Sequence, residues 1–520
     1  MARAAKANGG NGARVNGPQS LNAAVRSICD VLRRSNCAGA LQYVPELTWI
    51  LFLRVLDSME AREEDEAAAV GDAFKPSLSS PYRWRDWAAP DGLKRKQLEA
   101  GKLGDFFGFV DGDLIPHLKQ LAKNPNSTPR QKVIGEALSG LEHTRVDTER
   151  NFLDVLDRVH KIDPAGTDEQ HMFILSQAYE GLLLRMGEKG NDGGQFFTPR
   201  EIIRAIVRAV DPKPGETIYD PCCGTGGFLA ETMKHISGHF GAKATPEAIE
   251  RLKTRTFYGR EKENLVYPIA LTNLVIHGID RPHIWHGNTL TGQEIYGGLY
   301  QGAPDLFDVI LTNPPFGGKE GKEAQAQFTF KTRATQILFL QHVIDRLKPG
   351  GRCGMVVDEG VLFRNNENAF VGAKRKLLDS CEVTAIVSLP AGAFVNAGAG
   401  VKTNLLFFTK GNATNSIWYY DLSDVKVGKR NPLTLANFEE FLRLLPNTSD
   451  SDRSWTVTAI VPITEDIAHA AVIAFERYGK GRNRAALNIA DCLSYACAKA
   501  HNARLLFKGD DFAKTDIARA

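Results

Sequence analysis

The chain has 520 residues, of which 43% are hydrophobic and 24% are charged, as is typical of a globular protein with roughly two to four domains. This composition excludes general disorder, collagen-like repeats and a small disulfide-stapled fold. The 64 Lys and Arg residues exceed the 61 Asp and Glu residues by three, a small excess for a protein that holds nucleic acid unaided. We therefore expect any contact with nucleic acid to be local or shared with a partner.

The eight cysteines are sparse, and none of them forms a CxxC pair or a Cys/His set with zinc spacing. The sequence therefore predicts reduced thiols and no metal centre. The longest apolar runs, LTWILFL and TNLLFF, are far shorter than the ~20 residues that a bilayer requires. The start of the chain, rich in Gly and Asn, is typical of neither a signal peptide nor an anchor. We expect a cytoplasmic protein without membrane contact.

The first third of the chain is predicted to be helical. Residues 1–19 are rich in Gly, Asn, Ala and Arg and are predicted to be a disordered tail. From Leu21 to about Gln120 apolar residues recur at helical spacing, which favours a bundle whose apolar stripes form its core. Prolines in residues 77–92 interrupt the helices. We predict an α-helical domain over residues 20–160.

The pattern then changes, and residues 165–425 are predicted to form an α/β domain. A helix over residues 169–189 leads into GNDGG, after which short apolar runs alternate with helical segments. Continuous Val, Ile and Leu strands separated by helices indicate a mostly parallel, doubly wound sheet. Helices are expected over residues 263–278 and 335–351, the second ended by its Gly pair. The predicted strands cover residues 216–221, 256–261, 283–288, 307–315, 352–360, 383–390, 403–410 and 416–422. Residues 426–520 are predicted to be partly helical.

Two of these strands end in a candidate ligand site. The segment YDPCCGTGGFL (219–229) runs from a strand through a glycine turn into a helix, where backbone can approach a ligand closely. It lacks the GxGxxG pattern, which disfavours a nicotinamide dinucleotide. Glu261 ends the next strand, where a carboxylate can accept both hydroxyls of a ribose. Ligands of such sheets bind at the carboxyl ends of the strands.

A third strand runs directly into Asn313-Pro314-Pro315-Phe316. Two prolines fix the backbone and remove two donors, so the turn presents bare carbonyls beside an amide side chain. Two acceptors and the Phe316 ring suit a planar substrate with an exocyclic amine, because accepting both amino hydrogens localises the nitrogen lone pair. The pattern therefore predicts a pocket that binds an exocyclic amine and makes it nucleophilic.

Taken in order, these motifs resemble those of adenine-specific DNA methyltransferases, and more narrowly the modification subunit of type I restriction–modification systems. The resemblance covers about residues 20–430, and QFFTPR ahead of the glycine turn is its most specific element. The motifs are GQFFTPRE (194–201), DPCCGTGGFL (220–229), YGRE (258–261), GNTL (287–290), NPPF (313–316), LKPGG (347–351), LPAGAF (389–394) and VKTNLLFF (401–408).

The resemblance implies a Rossmann-like fold that uses S-adenosylmethionine and transfers its methyl group to the exocyclic amine of a flipped adenine in DNA. The catalytic residues would be Asn313, Pro314, Pro315 and Phe316. The cofactor-binding residues would be Gln195, Phe196, Phe197, Thr198, Pro199, Arg200, Asp220, Gly224, Thr225, Gly226, Gly227, Glu261 and Asn288. Asn288 stands where relatives often carry Asp, and its amide oxygen can still accept a hydrogen bond. Cys222 and Cys223 are assigned no redox role.

The resemblance also implies partners. The base-reading function would belong to a separate specificity subunit flanked by two copies of this chain, and a restriction or translocase subunit could join them. Residues 426–520 would then contribute to subunit contact. The alternatives that remain open are a stand-alone adenine DNA methyltransferase, an RNA or protein-glutamine methyltransferase with the same NPPF pocket, and a non-catalytic scaffold.

Overall fold

The computed structural model describes residues 18–37, 39–162, 198–240, 244–394, 400–428, 431–458, 463–501, 503, 505 and 510–518. The predicted helix over residues 169–189 and most of the predicted N-terminal tail lie outside these residues. Helix α1 begins at Pro18, within the last residues assigned to that tail. No helix in the described part of the chain combines the length and apolar character that crossing a membrane demands.

Residues 18–160 are helical, as the apolar spacing predicts. Leu47, Ile50, Leu51 and Val55 are each at most 2% exposed, so the predicted stripe is core. The proline-rich interruption carries a one-turn helix whose two tryptophans are buried, and Trp87 stacks on Trp49 with ring centroids 6.3 Å apart. The helices are α1 (Pro18–Arg34), α2 (Ala40–Val70), α3 (Trp84–Trp87), α4 (Leu93–Glu99), α5 (Asp105–Phe109), a π-helical turn (Val110–Leu114), α6 (Ile115–Lys123), α7 (Pro129–Ala137) and α8 (Glu149–His160).

The described residues after His160 include one ten-stranded sheet. All eight predicted strands are present, and two more lie at its edges. The strands are β1 (Ile218–Asp220), β2 (Phe257–Glu261), β3 (His283–Asn288), β4 (Gln293–Tyr296), β5 (Phe307–Thr312), β6 (Leu347–Asp358), β7 (Cys381–Ser388), β8 (Thr403–Lys410), β9 (Ser416–Asp421) and β10 (Ser454–Thr458). Their order across the sheet is β10-β9-β7-β8-β6-β5-β1-β2-β3-β4.

The sheet is mixed, with a parallel half that positions the candidate site. Strand β1 pairs in parallel with β2 and β5, so the carboxyl ends of these three strands lie side by side at one edge. Strand β8 is antiparallel to both β6 and β7, and the edge strands β4 and β10 are antiparallel as well. The α/β fold expected from alternating strands and helices is therefore confirmed.

Helices cover the sheet, and one of them ends differently from the prediction. The Gly pair of LKPGG does not end a helix: the helix stops at Arg346, and residues 347–351 begin β6 in an irregular stretch where its register against β5 shifts. The remaining helices are α9 (Arg200–Val210), α10 (Gly227–Phe240), α11 (Pro246–Arg255), α12 (Val266–Ile276), α13 (Lys322–Ala326), α14 (Thr335–Arg346), α15 (Glu359–Phe363), α16 (Asn368–Ser380), α17 (Glu439–Leu444), α18 (Glu465–Tyr478) and α19 (Ile489–Ala500).

The helical region packs directly against the sheet region through α7. Arg130 forms ion pairs with Glu63 of α2 at 2.7 Å and with Asp280, which follows α12, at 2.7 Å. These carboxylates hold the pKa of the Arg130 guanidinium above its ordinary value. Arg130 is largely buried, so removing one partner would leave a charge uncompensated. This network therefore fixes the two regions relative to each other.

Candidate functional site

Asn313 follows β5, at the edge where the parallel strands end, and its side chain is held on one side only. Its Nδ2 donates to Thr198 Oγ1 at 2.9 Å. Its Oδ1 is buried and has no hydrogen-bond partner among the described residues. A buried carbonyl oxygen without a donor costs about 1–3 kcal/mol, which a ligand that donates to it would recover. The amide thus presents one oriented, vacant acceptor.

The carbonyl of the next residue is positioned by a side chain that the sequence analysis missed. Gln336 of α14 donates from Nε2 to Pro314 O at 3.2 Å, and its Oε1 accepts the backbone N–H of Asp358 at 2.8 Å. Because a carbonyl oxygen has two lone pairs, that of Pro314 can accept a second donor. Gln336 is 3% exposed in the otherwise apolar run TQILFL. A polar residue buried in an apolar helix was the signal that could have identified it.

Phe316, the last residue of the motif, lies against a second phenylalanine. Its ring meets that of Phe394 edge to face, with centroids 5.4 Å apart and planes at 83°. Phe394 is fully buried, whereas Phe316 is only partly buried. The core residue Phe394 therefore supports the ring of Phe316, which remains partly exposed.

The glycine turn after β1 has backbone geometry that side chains would disturb. Gly224 and Gly226 have φ of +55° and +82°, in the left-handed region that favours glycine. A Cβ on Gly226 would also lie 2.9 Å from the side chain of Leu274. The carbonyl of Thr225 accepts from Asn273 Nδ2 at 2.8 Å, another buried contact that the sequence did not indicate. Helix α10 then begins at Gly227.

The buried carboxyl group of Asp220 stabilises the start of this turn through hydrogen bonds. Its Oδ1 accepts from Thr312 Oγ1 at 2.7 Å and from the backbone N–H of Cys222 at 3.1 Å. Burial raises its pKa to about 7, because the charged form is poorly solvated there. Burial also raises the pKa of the Cys222 and Cys223 thiols well above the ordinary value. Neutral thiols in this setting act as small packing groups.

Glu261 and Asn288 line the same hollow from the neighbouring strands. Glu261 accepts the backbone N–H of Gly224 at 2.9 Å and that of Glu263 at 2.8 Å. Its pKa is raised to about 7, mainly by burial. The Asn288 oxygen accepts the backbone N–H of Leu290 at 3.0 Å, so part of its predicted acceptor capacity serves the local turn. Each carboxylate oxygen of Glu261 retains a further lone pair for a ligand.

These elements enclose a cavity of about 390 Å³, within the size range of small-molecule sites. Five predicted site residues line it: Gly224, Glu261, Asn288, Asn313 and Pro315. Among the described residues, Thr198, Asp220, Gly226 and Phe316 contact this lining or support it without lining the cavity. Pro199 and Arg200 start α9. The predicted residues Gln195, Phe196 and Phe197 lie outside the described part of the chain.

A second hollow of about 360 Å³ adjoins the first and shares Gly318, Lys319 and Thr335 with it. It is also lined by Arg333 and Arg364 and by the carboxylates of Asp358 and Glu367, and Glu367 lies 3.6 Å from Arg364. The cavity that holds Asn313 and Glu261 therefore opens beside a polar hollow of mixed charge.

Three family models match parts of the chain. The N-6 DNA Methylase model matches residues 170–480, and the HsdM N-terminal domain model matches residues 21–138. The PIN domain model matches residues 443–518, which include α18 and α19. These two helices bury a cluster of their own that includes Ile467, Tyr478 and Tyr495. This last similarity has no counterpart among the motifs found in the sequence.

Individual proteins are similar over most of the chain. The EcoEI type I restriction enzyme methylase subunit of Escherichia coli is 35% identical over 407 residues, which is 77% of each chain. The EcoKI methylase subunit of E. coli K12 is 30% identical over 80% of this chain and 74% of its own. A structure described as a modification subunit of a type I restriction enzyme from Vibrio vulnificus superimposes with a TM-score of 0.74 at 32% identity, covering 88% of this chain and 96% of its own. A chain from a study of type I R-M complex assembly gives a TM-score of 0.63 at 34% identity, with 94% and 96% covered.

Proposed function

The chain belongs to the N-6 DNA methylase family, among the methylase subunits of type I restriction enzymes, and we propose that it methylates the N6 amine of adenine in DNA with S-adenosylmethionine. The observation that carries this proposal is the buried, unpartnered Oδ1 of Asn313 at the wall of the 390 Å³ cavity. A vacant acceptor at that point fits an amine donor. An amine can donate to both this oxygen and the Pro314 carbonyl, whereas a hydroxyl has one hydrogen to donate and a carbonyl has none.

The backbone of the glycine turn and the hydrogen-bonding groups of the cavity both suit S-adenosylmethionine. Gly224 and Gly226 hold the turn in a left-handed backbone conformation, and Glu261 offers acceptors for two ribose hydroxyls. Asn288 would lie by the adenine ring, and the segment 195–200 would contact the methionine portion. When bound, the cofactor supplies a methyl carbon that is already activated on a sulfonium.

The protein's part in the reaction is to orient the amine and raise its nucleophilicity. Asn313 Oδ1 and the Pro314 carbonyl would each accept one amino hydrogen. This holds the nitrogen lone pair out of conjugation with the ring and directed at the methyl carbon. Thr198 and Gln336 keep these two acceptors in place. Preorganised acceptors of this kind do not have to reorganise during the reaction, which lowers the barrier.

The target amine is inaccessible inside a duplex, so the adenine must leave the base stack. Phe316 is the ring against which it would stack, supported from behind by Phe394. Lys319 and Arg333, which line the adjoining hollow, would contact the neighbouring phosphates. Asn313, Phe316 and these two side chains would together receive a flipped nucleotide.

The proposal includes the family's assembly. A specificity subunit would read the DNA sequence, with two copies of this chain flanking it, and a restriction subunit could join the complex. An RNA or protein-glutamine methyltransferase is disfavoured because the DNA methylase model matches residues 170–480 and the HsdM N-terminal model matches residues 21–138. A nicotinamide oxidoreductase is disfavoured by the glycine turn itself.

The test is to identify the methylated atom. The chain, co-purified with its specificity subunit, is incubated with labelled S-adenosylmethionine and either duplex DNA, RNA or protein, and the products are digested and separated. We expect label in N6-methyladenine from DNA, and its incorporation ~10²–10³ more slowly by an Asn313→Ala chain. Label on RNA, on glutamine or on cytosine would contradict the proposal, as would full activity of the variant.

A further inference from the structure

Helices α9 and α10 meet at their far ends in a cluster of metal-ligating side chains. Asp211 follows α9, and His235 and His239 lie one turn apart on α10. Asp211 Oδ1 is 2.9 Å from His235 Nε2 and 3.4 Å from His239 Nε2. One ligand atom of each residue lies within 4.8 Å of the other two. Within the described part of the chain, no other trio of His, Cys, Asp or Glu side chains converges this closely.

The distances match those of a tetrahedral zinc centre. With metal–ligand bonds of about 2.0–2.2 Å, the ligand atoms around Zn²⁺ stand roughly 3.3 Å apart. The two Asp211–His separations bracket this value. Residues four apart on a helix lie on the same face, so both imidazoles reach the same point with only side-chain rotation.

Hydrogen bonds from neighbouring groups orient the three side chains for metal binding. His239 Nδ1 lies 2.8 Å from the carbonyl of His235, and an N–H donated there places the free lone pair on Nε2. Asp211 is fixed through its backbone, since its N–H donates to Val207 O at 2.9 Å and its carbonyl accepts from Arg352 at 3.3 Å. The Lys213 ammonium contacts only the other carboxylate oxygen, Oδ2, and leaves Oδ1 towards the histidines.

The donor set selects the kind of metal. Two imidazoles and one carboxylate suit Zn²⁺ or a similar transition metal, whereas Mg²⁺ and Ca²⁺ prefer oxygen ligands.

We propose that Asp211, His235 and His239 form a Zn²⁺ site that clamps the carboxyl ends of α9 and α10. Helix α9 begins beside Thr198, which anchors Asn313, and α10 begins at the glycine turn. Both helices thus run from the active site to the proposed metal site at their far ends. A fourth ligand would be water, because three protein ligands leave one tetrahedral position open. The metal would cross-link the two helices, and methyl transfer requires no chemistry from it.

The test measures zinc binding directly. The full-length, tag-free chain is stripped with a chelator and titrated with Zn²⁺ in competition with a chromophoric indicator. We expect one equivalent to bind to the wild type, and at least a tenfold loss of affinity in His235→Ala and in His239→Ala. His469→Ala, which removes an exposed histidine from α18, is the matched control and should bind zinc like the wild type.

A second measurement separates binding from folding. Zn²⁺ should raise the midpoint of thermal unfolding of the wild type and of His469→Ala, but not that of His239→Gln, whose apo form should show wild-type circular dichroism. His239 is partly exposed, so this substitution is mild. The proposal is overturned if the wild type binds no zinc, or if His239→Gln folds normally and binds zinc as the wild type does, which would place the metal elsewhere.

Discussion

The side chains of Asn313 and Thr198, 115 residues apart in the sequence, share a hydrogen bond of 2.9 Å that uses the amide nitrogen and leaves the amide oxygen vacant. The contact ties the segment before α9 to the turn after β5. It converts a flexible carboxamide into an acceptor with one orientation. The functional consequence can be separated from cofactor binding by mutation.

Removing the acceptor should reduce the rate of methyl transfer without preventing cofactor binding. Loss of one preorganised hydrogen-bonding group typically costs ~10²–10³ in rate, so we expect such a decrease for Asn313→Ala. Thr198→Val keeps the amide but removes its anchor, and should cost less, on the order of tenfold. Single-turnover methylation gives the rates, and calorimetry with S-adenosylmethionine gives the affinities. Rates within a few-fold of wild type for Asn313→Ala would refute the assignment.

Phe316 should contribute to binding of the target base. Base–aromatic stacking is worth ~1–3 kcal/mol, so Phe316→Ala should weaken productive DNA binding by roughly 5- to 150-fold, whereas Phe316→Tyr and Phe316→Trp should be tolerated. Because the ring also packs on Phe394, the thermal stability of each variant is measured alongside. Equal behaviour of the Ala and Trp variants would show that Phe316 is only a packing residue.

The cofactor cavity can be tested through Glu261 and Gly226. Glu261→Ala removes the acceptors proposed for the ribose, and Gly226→Val places methyl groups on a left-handed backbone against Leu274. We expect each to weaken S-adenosylmethionine binding by tenfold or more in calorimetry. Gly302→Val is the control, since Gly302 has a similar φ of +76° and open space around it. Unchanged affinity in both test variants would make the turn purely structural.

The buried carboxyl of Asp220 makes stability depend on pH. Its pKa is about 7 in the fold and near 3.8 when unfolded, so between these values the folded chain keeps a proton that the unfolded chain has lost. The free energy of unfolding therefore falls as pH rises through that window. Asp220→Asn keeps the oxygen that accepts from Thr312 and Cys222 but cannot ionise.

We accordingly expect Asp220→Asn to be more stable than the wild type at pH 8, by up to about 4 kcal/mol, with the difference vanishing towards pH 4. Urea unfolding of the chain at several pH values measures it. Asp305→Asn, at a fully exposed carboxylate, should show no such trend. A stability difference that does not change with pH would mean that Asp220 is ionised throughout.

The strands and the order of site residues were predictable because each depends on local sequence. Glu261 and Asn313 end apolar runs, and parallel strands place their carboxyl ends at one edge. The antiparallel direction of β8 was not predictable, since a strand buried on both faces has the same pattern in either direction. Strand β4 was missed because it is mostly exposed and lacks apolar alternation.

Contacts between distant parts of the fold could not be predicted from the sequence. Neither the Thr198–Asn313 bond nor the Gln336–Pro314 bond has a local signature, because both depend on how distant elements pack. The cluster of Asp211, His235 and His239 was missed for the same reason: only the His-x₃-His spacing is visible, and the third ligand comes from another helix end. The PIN domain similarity of residues 443–518 has no counterpart in the prediction that residues 426–520 serve subunit contact, which stays a prediction.

The last prediction is that this chain does not read DNA sequence alone. Base reading requires several side chains presented to a groove on a dedicated surface. With residues 18–160 helical and the sheet occupied by the cofactor site, only the region after β9 remains, and the whole chain carries a net charge of just +3. The isolated chain should therefore bind S-adenosylmethionine but show weak, salt-sensitive and sequence-blind DNA binding, with log affinity falling as log salt rises. Adding the specificity subunit should restore site-specific methylation, with the docking contacts on the helical region and residues 426–520.

Filter binding across a salt series measures the DNA affinity of the isolated chain, and mapping of methylated adenines measures the site-specific methylation by the complex. Robust site-specific methylation by the isolated chain would instead identify a self-sufficient enzyme.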